Sequence, residues 1–182
     1  MSYWFQETTP FTHLIAVLLL LARLGDIVST RLATPTLKLE GNPIVRRLGW
    51  RYAWLTIAAA LIPYLSIQMG VGILAASLMV SASNFARVWM LRTLGEEAWD
   101  RIMLQAAAQS RLRTAIGFQL ISVAFVVAVG IIVMWLSGSM TTANFWFGMG
   151  IALYGGVIAL HGSRFFVRLF ARARESQGGP AQ

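Results

Sequence analysis

The chain reads as an all-α, polytopic transmembrane helical bundle, and three observations carry that reading. Of its 182 residues, 57% are hydrophobic and 12% charged, against about 45–50% apolar and about 25% charged in an ordinary soluble domain. The apolar residues gather into five runs, each close to the roughly 20 helical residues needed to cross a hydrocarbon core of about 30 Å. Lys and Arg alternate between successive connections in the manner of cytoplasmic loops. Other classes fit poorly. Disorder needs low hydrophobicity and high charge. A disulfide-stapled fold needs cysteine, and there is none. A soluble nucleic-acid binder would account for the net charge of +8 but not for the long uncharged runs, so no nucleic-acid partner is expected.

The first span runs from about Phe11 to Ala33. Residues 1–12 hold only the acidic Glu7, and a cleaved signal peptide is expected to begin with basic residues. The second and third spans, about Tyr52–Met69 and Val71–Leu91, lie back to back. As one helix they would overshoot the bilayer about twofold, so a reversal is expected at Gln68-Met69-Gly70-Val71-Gly72, where glycines permit a tight turn. Pro63 is expected to kink the second span. The fourth and fifth spans run from about Thr114 to Leu136 and from about Ala143 to Gly162. Between the third and fourth, Trp99, Ile102, Met103 and Ala106 recur at helical spacing over Glu96–Gln109. That pattern predicts an amphipathic helix lying on the membrane surface. Residues 1–170 thus form one transmembrane domain, and residues 171–182 a basic, then polar, tail.

The connection after span one carries Lys38, Arg46, Arg47 and Arg51, and the one after span three carries Arg92, Arg101, Arg111 and Arg113. The C-terminal region carries Arg164, Arg168, Arg172 and Arg174. The alternate connections carry no Lys or Arg. This predicts the N-terminus outside and the C-terminus in the cytoplasm, in what would be a prokaryotic inner membrane. Trp50, Trp54, Trp89 and Trp99 fall at the predicted inner interface, and Trp4, Trp135 and Trp146 at the outer one, where indoles collect. Arg46, Arg47, Arg164, Arg168 and Arg172 are candidate contacts for anionic lipid headgroups.

Ionisable groups inside a span are costly and invite a functional hypothesis. Arg23 and Asp26 interrupt span one at i,i+3, and Thr30 follows at i+4. Ser77, Ser81 and Asn84 make a polar stripe on span three, with Arg87 one turn on, and His161 sits near the end of span five. Because spans one, three and five run in the same direction, these residues share one membrane level with the acidic loop. Asp26, Thr30, Glu40, Asn42, Asn84, Arg87 and His161 therefore form a candidate cytoplasm-facing polar cluster. Gly148, Ala152 and Gly156 repeat at four-residue spacing, which suits close helix contact within the chain or in a homo-oligomer.

The run Gly25-Asp26-Ile27-Val28-Ser29-Thr30 followed by Glu40-Gly41-Asn42-Pro43 resembles a group of small prokaryotic multi-pass membrane proteins. They carry Asp-x-x-x-Thr at the end of one span and Glu-x-Asn-Pro before the next. The resemblance covers about residues 15–90 and implies that Asp26, Thr30, Glu40, Asn42 and Pro43 act as one unit. It implies no particular chemistry.

No HExxH, cysteine cluster or phosphate-binding glycine loop is present, so the sequence names no cofactor and no zinc site. An oxygen-rich Mg²⁺ or Ca²⁺ site from Asp26, Glu40 and Asn42 stays chemically open. Three roles follow. The leading one is a non-enzymatic accessory component that engages lipid or another membrane protein. The second is a small ion- or proton-coupled carrier using Asp26. The third is a membrane enzyme acting on a lipid headgroup with Asp26 and Glu40.

Overall fold

The computed structural model describes residues 9–37 and 43–177, and these are helical almost throughout. Helix α1 (Pro10–Ala33) starts sharply because Thr9 and Thr12 cap each other reciprocally and Pro10 sits in the first turn, where its missing N–H costs nothing. A run of short pieces follows: α2 (Pro43–Leu48), a 3₁₀ turn at Gly49–Arg51, α3 (Tyr52–Ala58), a second 3₁₀ turn at Ala59–Leu61, and α4 (Ile62–Leu65). Then come α5 (Ile67–Leu94), α6 (Glu96–Gln109), α7 (Leu112–Leu136) and α8 (Ala143–Gln177).

Among the described residues, α1, α5, α7 and α8 are the four helices long and apolar enough to cross a membrane. Their outward faces suit lipid. Phe118, Phe125 and Trp135 are 69%, 70% and 80% exposed, an apolar surface that a soluble monomer would not leave in water. The core is correspondingly thin. Ile15, Leu19 and Ala22 of α1 pack on Val71 and Leu74 of α5, and further along Ala33 meets Val88 and Leu91. Residue numbers rise together, so α1 and α5 are parallel. Helices α7 and α8 are antiparallel: Gly130 meets Gly148 and Ala152, while Gly155 meets Val123 and Val127.

Several boundaries differ from the sequence expectation. The reversal before α5 falls at Ser66, not at the glycines. Ser66 is extended, and its hydroxyl caps α5 by accepting from the Met69 N–H. Gly70 and Gly72 therefore lie inside α5. They serve close packing instead: a Cβ on Gly70 would stand 2.7 Å from the Pro63 ring, and one on Gly72 would stand 3.2 Å from the Trp146 carbonyl. The expected second span is not one long helix. Pro63 sits in the first turn of α4, just after the 3₁₀ turn that breaks the run. This broken segment still runs beside α1 from one end to the other. The Trp50 indole donates to the Pro35 carbonyl near the C-terminal end of α1, and Tyr64 bonds His13 at its N-terminal end.

Helix α8 runs unbroken past residue 170, where a separate tail was expected to begin. At about 1.5 Å per residue its 35 residues span about 52 Å, roughly 20 Å more than the hydrocarbon core. Helix α6 docks on this overhang and does not lie alone on lipid. Gly95, at φ +77°, makes the break between α5 and α6, and Glu96 and Glu97 favour the new N-terminus. The packed stripe of α6 is Met103, Leu104 and Ala107, set against Phe165, Phe166, Leu169, Phe170 and Ala173. Trp99 packs on the α1–α5 end, whereas Ile102 and Ala106 face outward.

Candidate functional site

The polar residues of α1 and α5 meet across the parallel contact between these helices. Ser81 Oγ donates to the Ala22 carbonyl at 2.8 Å, which ties α5 to α1 one turn before Asp26. Gly25 lies at this contact, where a Cβ would stand 3.4 Å from Ser81 Oγ, an ordinary packing distance. Asn84 Nδ2 then donates to Asp26 Oδ1 at 3.0 Å and to Thr30 Oγ1 at 3.4 Å. On the other carboxylate oxygen, Arg23 approaches to 4.0 Å. Ser29 and Ser77 are fully buried beside this set, each bonding back to its own helix: Ser29 to the Asp26 carbonyl and Ser77 to that of Ile73. Asp26 itself is 9% exposed. Two helices thus share one compact polar seam, with a carboxylate at its centre and donors on both sides.

The other sequence candidates stand apart from this seam. Arg87 is exposed on α5 and makes no ion pair among the described residues. His161 is on α8, next to Gly162, which abuts Gln119 of α7. Its Nδ1 is buried and has no hydrogen-bond partner among the described residues. Gln119 donates to the Ile158 carbonyl at 2.8 Å, so α7 and α8 hold a second, smaller polar contact. Glu40, Asn42 and the Arg46 side chain lie outside the described residues. Within those residues, no three His, Cys, Asp or Glu side chains group as a metal site.

No family model, curated protein or solved structure matches the chain.

Beyond the seam, the basic end of the bundle holds two clefts. One, of about 580 Å³, lies where α1 ends against the α5–α6 junction and is lined by Thr36, Arg92, Glu96, Glu97 and Arg101 among others. Glu96 accepts from the Thr36 backbone N–H at 3.1 Å and also from the Thr36 hydroxyl, which closes α6 onto the end of α1. The second cleft, of about 530 Å³, lies between the α6–α7 elbow and the end of α8, with Arg111, Arg113 and Arg174 in its lining. Of the arginines expected at lipid headgroups, Arg47, Arg164 and Arg168 are exposed. Arg172 instead forms a two-pronged pair with Asp100 of α6, both bonds 3.1 Å. The grouping of Arg111 and Arg113 with Arg174 escapes sequence reading because it depends on the docking of α6. Their clustering in loop and tail is the only signal the sequence offers.

Proposed function

We propose that the chain is a five-crossing integral membrane protein of accessory, non-enzymatic character, with a cytoplasmic C-terminus, whose intramembrane carboxylate is a packing element. The observation that carries this reading is the double donation of Asn84 to Asp26 and Thr30 within the α1–α5 contact. A carboxylate in a bilayer is stable where neighbouring donors and a cation answer its charge, and Asn84 and Arg23 do so from within the helix pair. Orientation is supported by the gathering of Arg92, Arg101, Arg111, Arg113, Arg172 and Arg174 at one end, around α6. The connection between α7 and α8 carries no Lys or Arg.

The test uses the full chain in liposomes. Asp26→Asn keeps the shape and an acceptor for Asn84, so the variant should insert and fold. Wild type and variant should both show no proton- or cation-driven uptake and no lipid-headgroup turnover. Uptake by the wild type that Asp26→Asn abolishes would establish the carrier instead. Headgroup turnover lost in both Asp26→Asn and Glu40→Gln would establish the enzyme, and with it the joint Asp26–Glu40 unit implied by the sequence resemblance.

A further inference from the structure

The cleft between the α6–α7 elbow and the end of α8 collects positive charge and leaves it unanswered. Helix α6 stops at Gln109, and Ser110 and Arg111 are extended before α7 begins at Leu112. This two-residue elbow brings Arg111 and Arg113 to the same cleft as Arg174, which is about 60 residues away in sequence but lines the same cleft in the fold. None of the three is ion-paired or hydrogen-bonded through its side chain among the described residues, and no described acid lines the cleft. The contrast with Arg172, two residues before Arg174 and fully engaged by Asp100, shows that compensation is available nearby and is not used here. The N-terminus of α7 adds to the field. No side chain caps it; the Thr114 N–H is taken by the Arg111 carbonyl, which leaves the Leu112 and Arg113 N–H groups to face an anion, against the negative end of α6 at the same elbow.

The floor is apolar, formed by Leu112, Phe170 and the small side chains around them. Depth then selects among anions. The exposed apolar band of α7 begins at Phe118 and continues through Ile121 and Phe125. Phe118 is six residues after Leu112, or about 9 Å along the helix. The headgroup layer occupies a comparable distance outside the hydrocarbon core. A phosphate held by the three guanidinium groups would thus leave acyl chains lying along the exposed phenylalanines of α7. Guanidinium forks match phosphate oxygens two at a time. With no acid in the lining, the cleft offers nothing for the cationic half of a zwitterionic headgroup.

We propose that Arg111, Arg113 and Arg174 form a binding site for the phosphate headgroup of an anionic glycerophospholipid. The proposal rests on the reading of this end of the bundle as a membrane interface, which is checked separately by resistance of the inserted protein to alkaline extraction. The binding test takes the full chain in detergent micelles. Phosphatidylglycerol, phosphatidylcholine and inorganic phosphate are added in turn, and retained ligand is counted by native mass spectrometry. Wild type should retain phosphatidylglycerol over phosphatidylcholine by about tenfold, with inorganic phosphate a poor competitor. The variant Arg111→Gln/Arg113→Gln/Arg174→Gln should lose that preference while keeping its helical circular dichroism, and Arg174→Gln alone should lose part of it. A charge-matched control, Arg51→Gln/Arg92→Gln/Arg101→Gln, should keep it. Equal retention of the two lipids overturns the proposal. So does equal loss in the control, which would mean diffuse attraction to basic residues. Full competition by inorganic phosphate also overturns it, in favour of a soluble anion. A chain that is alkali-resistant but shows no lipid preference would leave the membrane reading standing and this site refuted.

Discussion

At the residue scale, the question is how much each polar contact in the α1–α5 seam is worth. Interhelical hydrogen bonds in membranes average about 0.6 kcal/mol, because the separated helices also find partners in the bilayer. Asn84 should exceed that average for a structural reason: it donates to two acceptors, and one is a carboxylate. Asn84→Ala should therefore destabilise the protein by about 1–2 kcal/mol, read as a lower midpoint in SDS-driven unfolding followed by tryptophan fluorescence. Thr30→Val, which removes only the 3.4 Å contact, should cost about 0.5 kcal/mol or less. Asn84→Asp should be the most damaging, since it sets a second carboxylate about 3 Å from the first, where two like charges cannot both persist in low dielectric. An Asn84→Ala variant as stable as the wild type would remove the seam from the list of packing elements. The sequence made the members of this seam visible one at a time, because an Asp, an Asn and three serines are conspicuous among apolar neighbours. Their register was not visible. It depends on the 2.8 Å bond from Ser81 to the Ala22 carbonyl, and nothing in either segment alone states the offset between α1 and α5.

At the element scale, small residues decide more than polar ones. A Cβ on Gly130 would meet the Ala152 nitrogen and Gly148 oxygen at 2.7 Å, and backbone cannot yield as a flexible side chain can. Gly150 is tighter still against the Gly72 carbonyl, so α8 is seated on α7 and α5 through glycine on two sides. Gly156, one turn beyond Ala152, meets nothing within 4 Å. Gly130→Leu should separate α7 from α8 and cost about 2–3 kcal/mol or abolish folding, seen as loss of a monodisperse gel-filtration peak and a lowered thermal midpoint. Gly156→Leu should leave both unchanged. A Gly156→Leu variant as damaged as Gly130→Leu would mean that the outer face of the stripe is also a contact, between copies of the chain. The periodicity of Gly148, Ala152 and Gly156 was legible as a close-contact stripe. Which side of it faces inward was not, since three residues at one spacing describe a face and not its neighbour. For α6 the expected stripe holds in part: Trp99 and Met103 pack, but Leu104 and Ala107 take the inward places expected of Ile102 and Ala106, because the overhang of α8, not spacing alone, selects the face.

At the scale of the whole molecule, the broken segment between α1 and α5 sets the number of crossings. The parallel packing of α1 and α5 requires the chain to return from one end of α1 to the other, and residues 50–64 make that return. Fourteen residue steps in mixed α and 3₁₀ geometry cover about 21–28 Å, slightly short of a hydrocarbon core of about 30 Å. Trp50 and Tyr64, at its two ends, are residues that suit membrane interfaces. The sequence presents this stretch as a full apolar span because composition records hydrophobicity and not helix continuity; the 3₁₀ turns at Gly49–Arg51 and Ala59–Leu61 carry no compositional mark. The chain has no cysteine, so single introduced thiols report sidedness without background. In right-side-out vesicles, Met69→Cys and Met140→Cys should react with a membrane-impermeant maleimide. Arg47→Cys and Gln109→Cys should react only after permeabilisation. All four positions avoid the α1–α5 seam and the Arg111 cleft, so labelling reads topology and not damage to either. If Met69→Cys and Arg47→Cys react from the same side, the segment is a re-entrant or interfacial element. The protein would then have four crossings, and the parallel pairing of α1 with α5 could not persist in a bilayer.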